Sequence, residues 1–178
     1  MKYIKKVIKF KNIKKLENQL FQENFPWFFV KKTSPTNQQN MKNIFEYYSF
    51  VHWLILDSKI NSAYHKYTID IIKDAPINHN GILRAKINLL PKVEHSKDKY
   101  NTPHVDLNYR KDVKYKSCII YLNDSDGDTF IFNNKKEIIK RITPEKGDLL
   151  ILDGNQIHAS SHPIKTDLRI VLNINYIC

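Results

Sequence analysis

Apolar residues recur at helical spacing early in the chain. Ile13, Leu16, Leu20 and Phe21 fall on one face of a helix predicted over 12–22. FPWFFV (25–30) and FEYYSFVHWLIL (45–56) are aromatic and β-branched and predict strands. Between them, KKTSPTNQQN (31–40) is polar and reads as a loop. A second helix over 62–73 would turn Tyr67, Ile71 and Ile72 inward. It ends at Asp74-Ala75-Pro76, because the residue before a proline is pushed out of the α region.

After Gly81 the pattern changes to short strands separated by turn signals: ILRAKINLLPKV, the segment around His104, YKSCIIYLN, DTFIFN, EIIKRITP, DLLILD and LRIVLNINYI. Such a series predicts a mostly-β protein with flanking helices, its core a double-stranded β-helix, that is, a cupin-like jelly roll. The expected organisation is one domain over 1–178. Residues 1–81 would form a supporting helix–strand region, and 82–178 the core strands.

Composition adds little to this picture. A chain of 178 residues with 42% hydrophobic content can bury a core. The formal charge of +11 would suit an acidic partner, but the lysines are spread along the chain, densest from Lys2 to Lys15. Cys118 and Cys178 form no CxxC pair and read as small residues of a reducing compartment. MKYIKKVIKF is interrupted by lysine too often for a signal peptide, and the apolar stretch near 50–56, broken by His52, is too short to span a bilayer. The expectation is a soluble, cytoplasmic protein with no membrane partner.

The candidate chemistry centres on His104-Val105-Asp106. On a strand, residues i and i+2 share a face, so an imidazole and a carboxylate could converge on one metal. Alone, the pair could equally be an ordinary surface hydrogen bond. His158, after the DLLILD strand and its Gly154 turn, and Arg169, opening the last strand, raise its weight. Two imidazoles and one carboxylate leave coordination positions open, the pattern of non-haem Fe(II) oxygenases. His162 rivals His158 but precedes Pro163 in a loop-like segment and lies only seven residues before Arg169. His52, His65, His79 and His95 have no partner at ligand spacing and read as surface or packing residues. Asp124, Asp126 and Asp128 alternate as in a calcium loop, yet Thr129 and Lys135 stand where that loop needs Gly and Glu.

The order of these motifs — HxD, a strand ending in YLN, the Asp126-Gly127-Asp128-Thr129 turn, GDLLILDG, His158 and then Arg169 — resembles the 2-oxoglutarate/Fe(II) oxygenase superfamily, in its prolyl-4-hydroxylase-like branch. The resemblance implies that His104, Asp106 and His158 are the metal ligands. It implies that Arg169 pairs with the distal carboxylate of 2-oxoglutarate, and that the hydroxyl of Tyr121 assists there. It departs at Val171, where many relatives carry a Ser or Thr. The implied cofactors are Fe(II), 2-oxoglutarate and O2, with ascorbate as an auxiliary reductant. The implied reaction is hydroxylation of a C–H bond, yielding succinate and CO2. A peptidyl side chain such as proline is the favoured substrate, ahead of a small molecule.

A nucleic-acid dealkylase is the alternative enzyme; it would suit the basic charge, but no second arginine follows Arg169 in the final strand. A non-catalytic jelly-roll binding module is the alternative outside enzymes. Specificity would come from the N-terminal half and from loops 31–42 and 94–102.

Overall fold

The computed structural model describes residues 1–32, 43–107 and 113–178. Strand β1 (Lys2–Ile4) leads to helix α1 (Phe10–Leu20), followed by β2 (Phe28–Val30), β3 (Ser49–Leu56) and β4 (Lys59–Ile60). A 3-10 segment, Ala63–Thr68, runs into α2 (Ile69–Asp74). Then come β5 (Gly81–Pro91), β6 (Tyr115–Tyr121), β7 (Thr129–Phe132), β8 (Ile138–Ile142), β9 (Leu149–Asp153), β10 (His158–Ser160) and β11 (Leu168–Ile177). No described helix is long and apolar enough to cross a membrane.

The large sheet runs β1-β9-β6-β11-β5-β3-β2, with β4 paired to β3; the small sheet runs β10-β7-β8. Their strands pair antiparallel. This is the mostly-β jelly roll that the strand spacing predicts.

The central strands are covered on both sides, and their side chains alternate accordingly. On β11, Ile170, Leu172 and Ile174 face outward with Ala85 and Ile87 of β5 and Cys118 and Ile120 of β6. Ile13, Leu16 and Leu20 of α1 and Ile71 of α2 close over this face. Each such buried Leu or Ile contributes about 1.5–3 kcal/mol. The opposite face of the sheet meets the small sheet, where Ile119, Leu150 and Val171 pack against Ile131 and Ile142. The polar residues of β5 and β11 therefore point inward, between the sheets.

Several predicted boundaries shift for local reasons. The first helix starts two residues early, at Phe10, because Asp74 supplies a cap from a distance. Its carboxylate accepts from the Lys9 amide at 3.1 Å and the Asn12 side chain at 2.7 Å. The strand predicted over 25–30 begins only at Phe28, since Pro26 cannot donate to a ladder. The second predicted strand begins at Ser49 rather than at 45. The second helix is divided, with 3-10 geometry up to Thr68. Strands β1, β4 and β10 are too short, or too interrupted by lysine, to show in the pattern. Apart from Lys31 and Lys32, the loop at 31–42 lies outside the described residues.

A division at residue 81 is not visible in the sheet. β1 pairs with β9, and β3 pairs with β5, so early strands extend the same layer as the late ones.

The three aspartates of the 124–128 turn serve separate partners rather than one ion. Asp124 accepts from the Lys146 amide at 2.7 Å, Asp128 pairs with Arg141, and Asp126 accepts from the amides of Ile164, Lys165 and Thr166. Burial pushes the Asp126 carboxyl upward, but the Thr166, Lys165 and Ile164 hydrogen bonds outweigh it and hold the pKa at about 2. A carboxyl depressed on folding contributes stability above its unfolded value near 4 and loses it as pH falls towards 2. Asp126→Asn should therefore lower stability by roughly 1–2 kcal/mol at pH 7. In urea titrations across pH, the gap to wild type should close as pH drops from about 4 to about 2.

Candidate active site

Between the sheets lies a cavity of about 360 Å³. Its lining includes His104, Asp106, His158 and Arg169, together with Arg84 and Thr129. A volume of this order suits a small ligand.

His104, Asp106 and His158 come together there, each offering one ligand atom, with these atoms within 4.8 Å of one another. The way they meet differs from the expected strand. His104 makes a single antiparallel bridge with His158, each amide donating to the other's carbonyl at 2.9 Å. Asp106 then lies in a turn with Leu107, whose φ is +42°, and the Tyr115 hydroxyl donates to the Asp106 carbonyl. One bridge and one turn thus do what the two-residue strand repeat was expected to do. His162 is elsewhere: buried, with Nδ1 on the Pro91 carbonyl at 2.9 Å. His52 is a packing residue, held between the Pro26 carbonyl and the Ser62 hydroxyl.

The protonation of the cluster follows from its hydrogen bonds. His104 Nδ1 lies 3.0 Å from the Thr102 carbonyl and His158 Nδ1 3.0 Å from the Gln156 carbonyl. A carbonyl only accepts, so each Nδ1 carries a hydrogen, and Nε2 is the nitrogen left to act as a ligand. Burial, reinforced by the neighbouring His158, pushes His104 down to about 4, which keeps its ring neutral at physiological pH. Burial alone would raise the Asp106 carboxyl. The Arg84 guanidinium outweighs burial and holds it well below the usual carboxylate range. Two imidazoles, each with Nε2 left to act as a ligand, and one carboxylate make a donor set that fits Fe(II).

Asp106 is the most heavily bonded side chain of the group. Its Oδ1 accepts from Arg84 at 2.6 Å; its Oδ2 accepts from Ser117 at 2.8 Å, Asn175 at 3.0 Å and Asn173 at 3.3 Å. Arg84 also donates to the Asn175 side-chain oxygen at 2.7 Å. Sequence reasoning missed these residues, although a signal was present. Arg84, Lys86 and Asn88 alternate with apolar residues on β5, as Arg169, Asn173 and Asn175 do on β11. Polar side chains alternating within a strand buried on both faces mark an internal site.

Arg169 lies across the cavity, buried. Its Nε donates to the Gly127 carbonyl at 2.8 Å and its Nη2 to Thr129 Oγ1 at 2.9 Å. Tyr121 is fully buried, with its hydroxyl donating to the same Thr129 oxygen at 2.9 Å and its ring 5.9 Å from the guanidinium carbon. Thr129 accepts twice and so keeps its own O–H for the cavity. Val171 lines the cavity as well, and Thr129 supplies the hydroxyl which that position lacks.

Removing Arg84 would leave a buried carboxylate without its cation. Arg84→Gln should destabilise the metal-free protein by roughly 3 kcal/mol, measured by urea denaturation. Added divalent metal should recover part of that loss.

Residues 91–177 match the family model described as the 2OG-Fe(II) oxygenase superfamily. No curated protein matches the chain. The fold is similar to a prolyl hydroxylase from Trichoplax adhaerens in complex with a hypoxia inducible factor peptide fragment, with TM-score 0.64 and 14% identity over 99% of this chain and 82% of that one. It is also similar to a Pseudomonas putida prolyl-4-hydroxylase, with TM-score 0.61 and 13% identity over 99% and 91%. A Burkholderia pseudomallei oxidoreductase of the 2OG-Fe(II) oxygenase family gives TM-score 0.62 and 15% identity over 94% and 78%. The match over residues 91–177, which carry His104, Asp106, His158 and Arg169, together with the His–Asp–His cluster, supports a 2-oxoglutarate- and Fe(II)-dependent dioxygenase.

Proposed function

We propose that the protein hydroxylates a C–H bond of a peptidyl side chain, a prolyl residue foremost. In this reading His104, Asp106 and His158 hold the iron, and Arg169 anchors the distal carboxylate of 2-oxoglutarate. The observation that carries it is the pairing, in one cavity, of a His–Asp–His cluster with a buried arginine that has donors to spare. The fold shared with a prolyl hydroxylase bound to a peptide fragment supports the substrate class.

The iron and cosubstrate supply the oxidation when bound: O2 is consumed, 2-oxoglutarate is converted to succinate and CO2, and a C–H bond becomes C–OH. The chain's own residues orient and isolate this chemistry. The Thr102 and Gln156 carbonyls fix both imidazole rings through their Nδ1 hydrogens. Arg169 is pinned through Nε and one Nη2 hydrogen, which leaves its Nη1 donors for a carboxylate. Thr129 offers its hydroxyl to the same carboxylate, and Tyr121 is a positioning residue that holds Thr129 and backs the guanidinium. Val51, Ile119 and Val171 keep the walls apolar and limit water.

The test is succinate formation from 2-oxoglutarate after anaerobic loading with Fe(II). Wild-type protein should turn over slowly without substrate, and His104→Ala should lose iron binding and activity together. Absence of both iron binding and succinate in the wild type would leave only the non-catalytic jelly roll. Arg169→Ala should raise KM for 2-oxoglutarate about thirtyfold with a smaller effect on kcat, as expected for loss of a buried charge-assisted contact. Gly127→Ala should act in the same direction. A Cβ there would lie 2.9 Å from Arg169 Cδ and 2.7 Å from the Ser161 carbonyl, so the arginine must move.

A further inference from the structure

We propose that Lys86 is the recognition point for a carboxylate on the substrate, beside the metal site on the inner face of the large sheet; this rests on the oxygenase reading above. In the sheet register Lys86 is the direct neighbour of Trp53 on β3 and of Asn173 on β11. All three line the cavity that holds the His–Asp–His cluster. The Lys86 ammonium sits 5.3 Å from the Trp53 ring centroid, and no described residue makes an ion pair or hydrogen bond with it.

The other buried cations of the cavity are already engaged, and Lys32, which also lines it, is exposed. Arg84 is consumed by Asp106 and Asn175, and Arg169 by Gly127, Thr129 and the cosubstrate it anchors. Asp106 is the sole acidic side chain among the described lining residues, and Arg84 neutralises it. A divalent iron and a dianionic cosubstrate cancel each other. The loaded cavity therefore keeps surplus positive charge, and Lys86 is the enclosed cation to which no described side chain is bonded. Burial, followed by the repulsion of Arg84, pushes the Lys86 ammonium down to about 8, so it is still mostly charged at pH 7. A half-buried cation between Trp53 and Asn173 is costly unless something pairs with it.

Asn173 adds a second open group next to it. Its amide nitrogen donates to Asp106 Oδ2, which can only accept, so its Oδ1 must face the other way. That oxygen is buried and has no partner. An ammonium beside an unpaired amide oxygen complements a ligand that presents a carboxylate next to an N–H group, as an acidic residue in a peptide or an amino-acid terminus does.

The test uses protein loaded anaerobically with Mn(II) and 2-oxoglutarate, so that the metal and Arg169 are occupied. Two probe pairs differing in charge alone are titrated at constant ionic strength. One pair is a doubly capped pentapeptide with proline flanked by Glu, and its Gln counterpart. The other is N-acetyl-L-prolylglycine and N-acetyl-L-prolylglycinamide, in which the glycine N–H lies next to the terminal group. Binding is followed by tryptophan emission, with Trp53→Phe assigning the signal, and by calorimetry. The charged member of at least one pair should bind about tenfold tighter than its neutral partner. The responding pair distinguishes a side-chain carboxylate from a terminal one. Lys86→Gln should erase this preference, Lys86→Arg should retain it, and 2-oxoglutarate affinity should change little in either. The proposal is overturned if neither pair discriminates, including by failing to bind, or if the preference survives in Lys86→Gln. It is also overturned if Lys86→Gln weakens 2-oxoglutarate instead. Probe-independent succinate formation by the iron-loaded wild type reports separately on the oxygenase reading.

Discussion

The structure depends on keeping one carboxylate, that of Asp106, charged inside the protein. A buried anion is tolerated only when donors surround it. Arg84 from β5, Ser117 from β6 and Asn175 from β11 supply those donors from three adjacent strands of the large sheet. Their side chains all reach the inner face because strands alternate sides every residue. The same alternation sends Ala85, Ile87, Cys118, Ile120, Leu172 and Ile174 to the outer face, where they would meet water without α1 and α2. The N-terminal helices therefore support the site indirectly: by covering the outer face, they let the central strands carry polar residues on the inner one.

The small sheet positions the remaining groups. β10 begins at His158, and its bridge to His104 ties together two segments more than fifty residues apart in the chain. The 126–129 turn does the same for the far end of the cavity. Gly127 presses its carbonyl onto Arg169, Thr129 meets both Arg169 and Tyr121, and Asp126 fastens the 164–166 backbone that leads into β11. His104, Asp106, His158 and Arg169 are thus each held by a second group that does not depend on a ligand, a common form of preorganisation.

Charge separates into two kinds. Among the N-terminal lysines, Lys5 pairs with Glu145, Lys9 with Asp74 and Lys15 with Asp70, and these lysines are well exposed. Such pairs contribute little to stability. The cations of the cavity are enclosed, and there charge interacts strongly with whatever enters. The formal charge of +11 is therefore a poor guide to what this protein binds.

The sequence by itself determined the class. The His104-x-Asp106 pair, His158, Arg169 and the order of turns and strands between them depend on local chemistry and spacing, which survive without coordinates. The jelly roll was readable for the same reason, since β5, β6, β9 and β11 announce themselves by apolar runs and turns. What tertiary structure decided was how distant residues satisfy one another. Asp74 caps a helix sixty residues away, Thr129 joins Arg169 to Tyr121, and Asn173 and Asn175 serve a carboxylate on another segment. Burial of polar groups is a property of the assembled sheets. A single strand's pattern can suggest that partners are required; only the packing of other strands against it determines which residues they are.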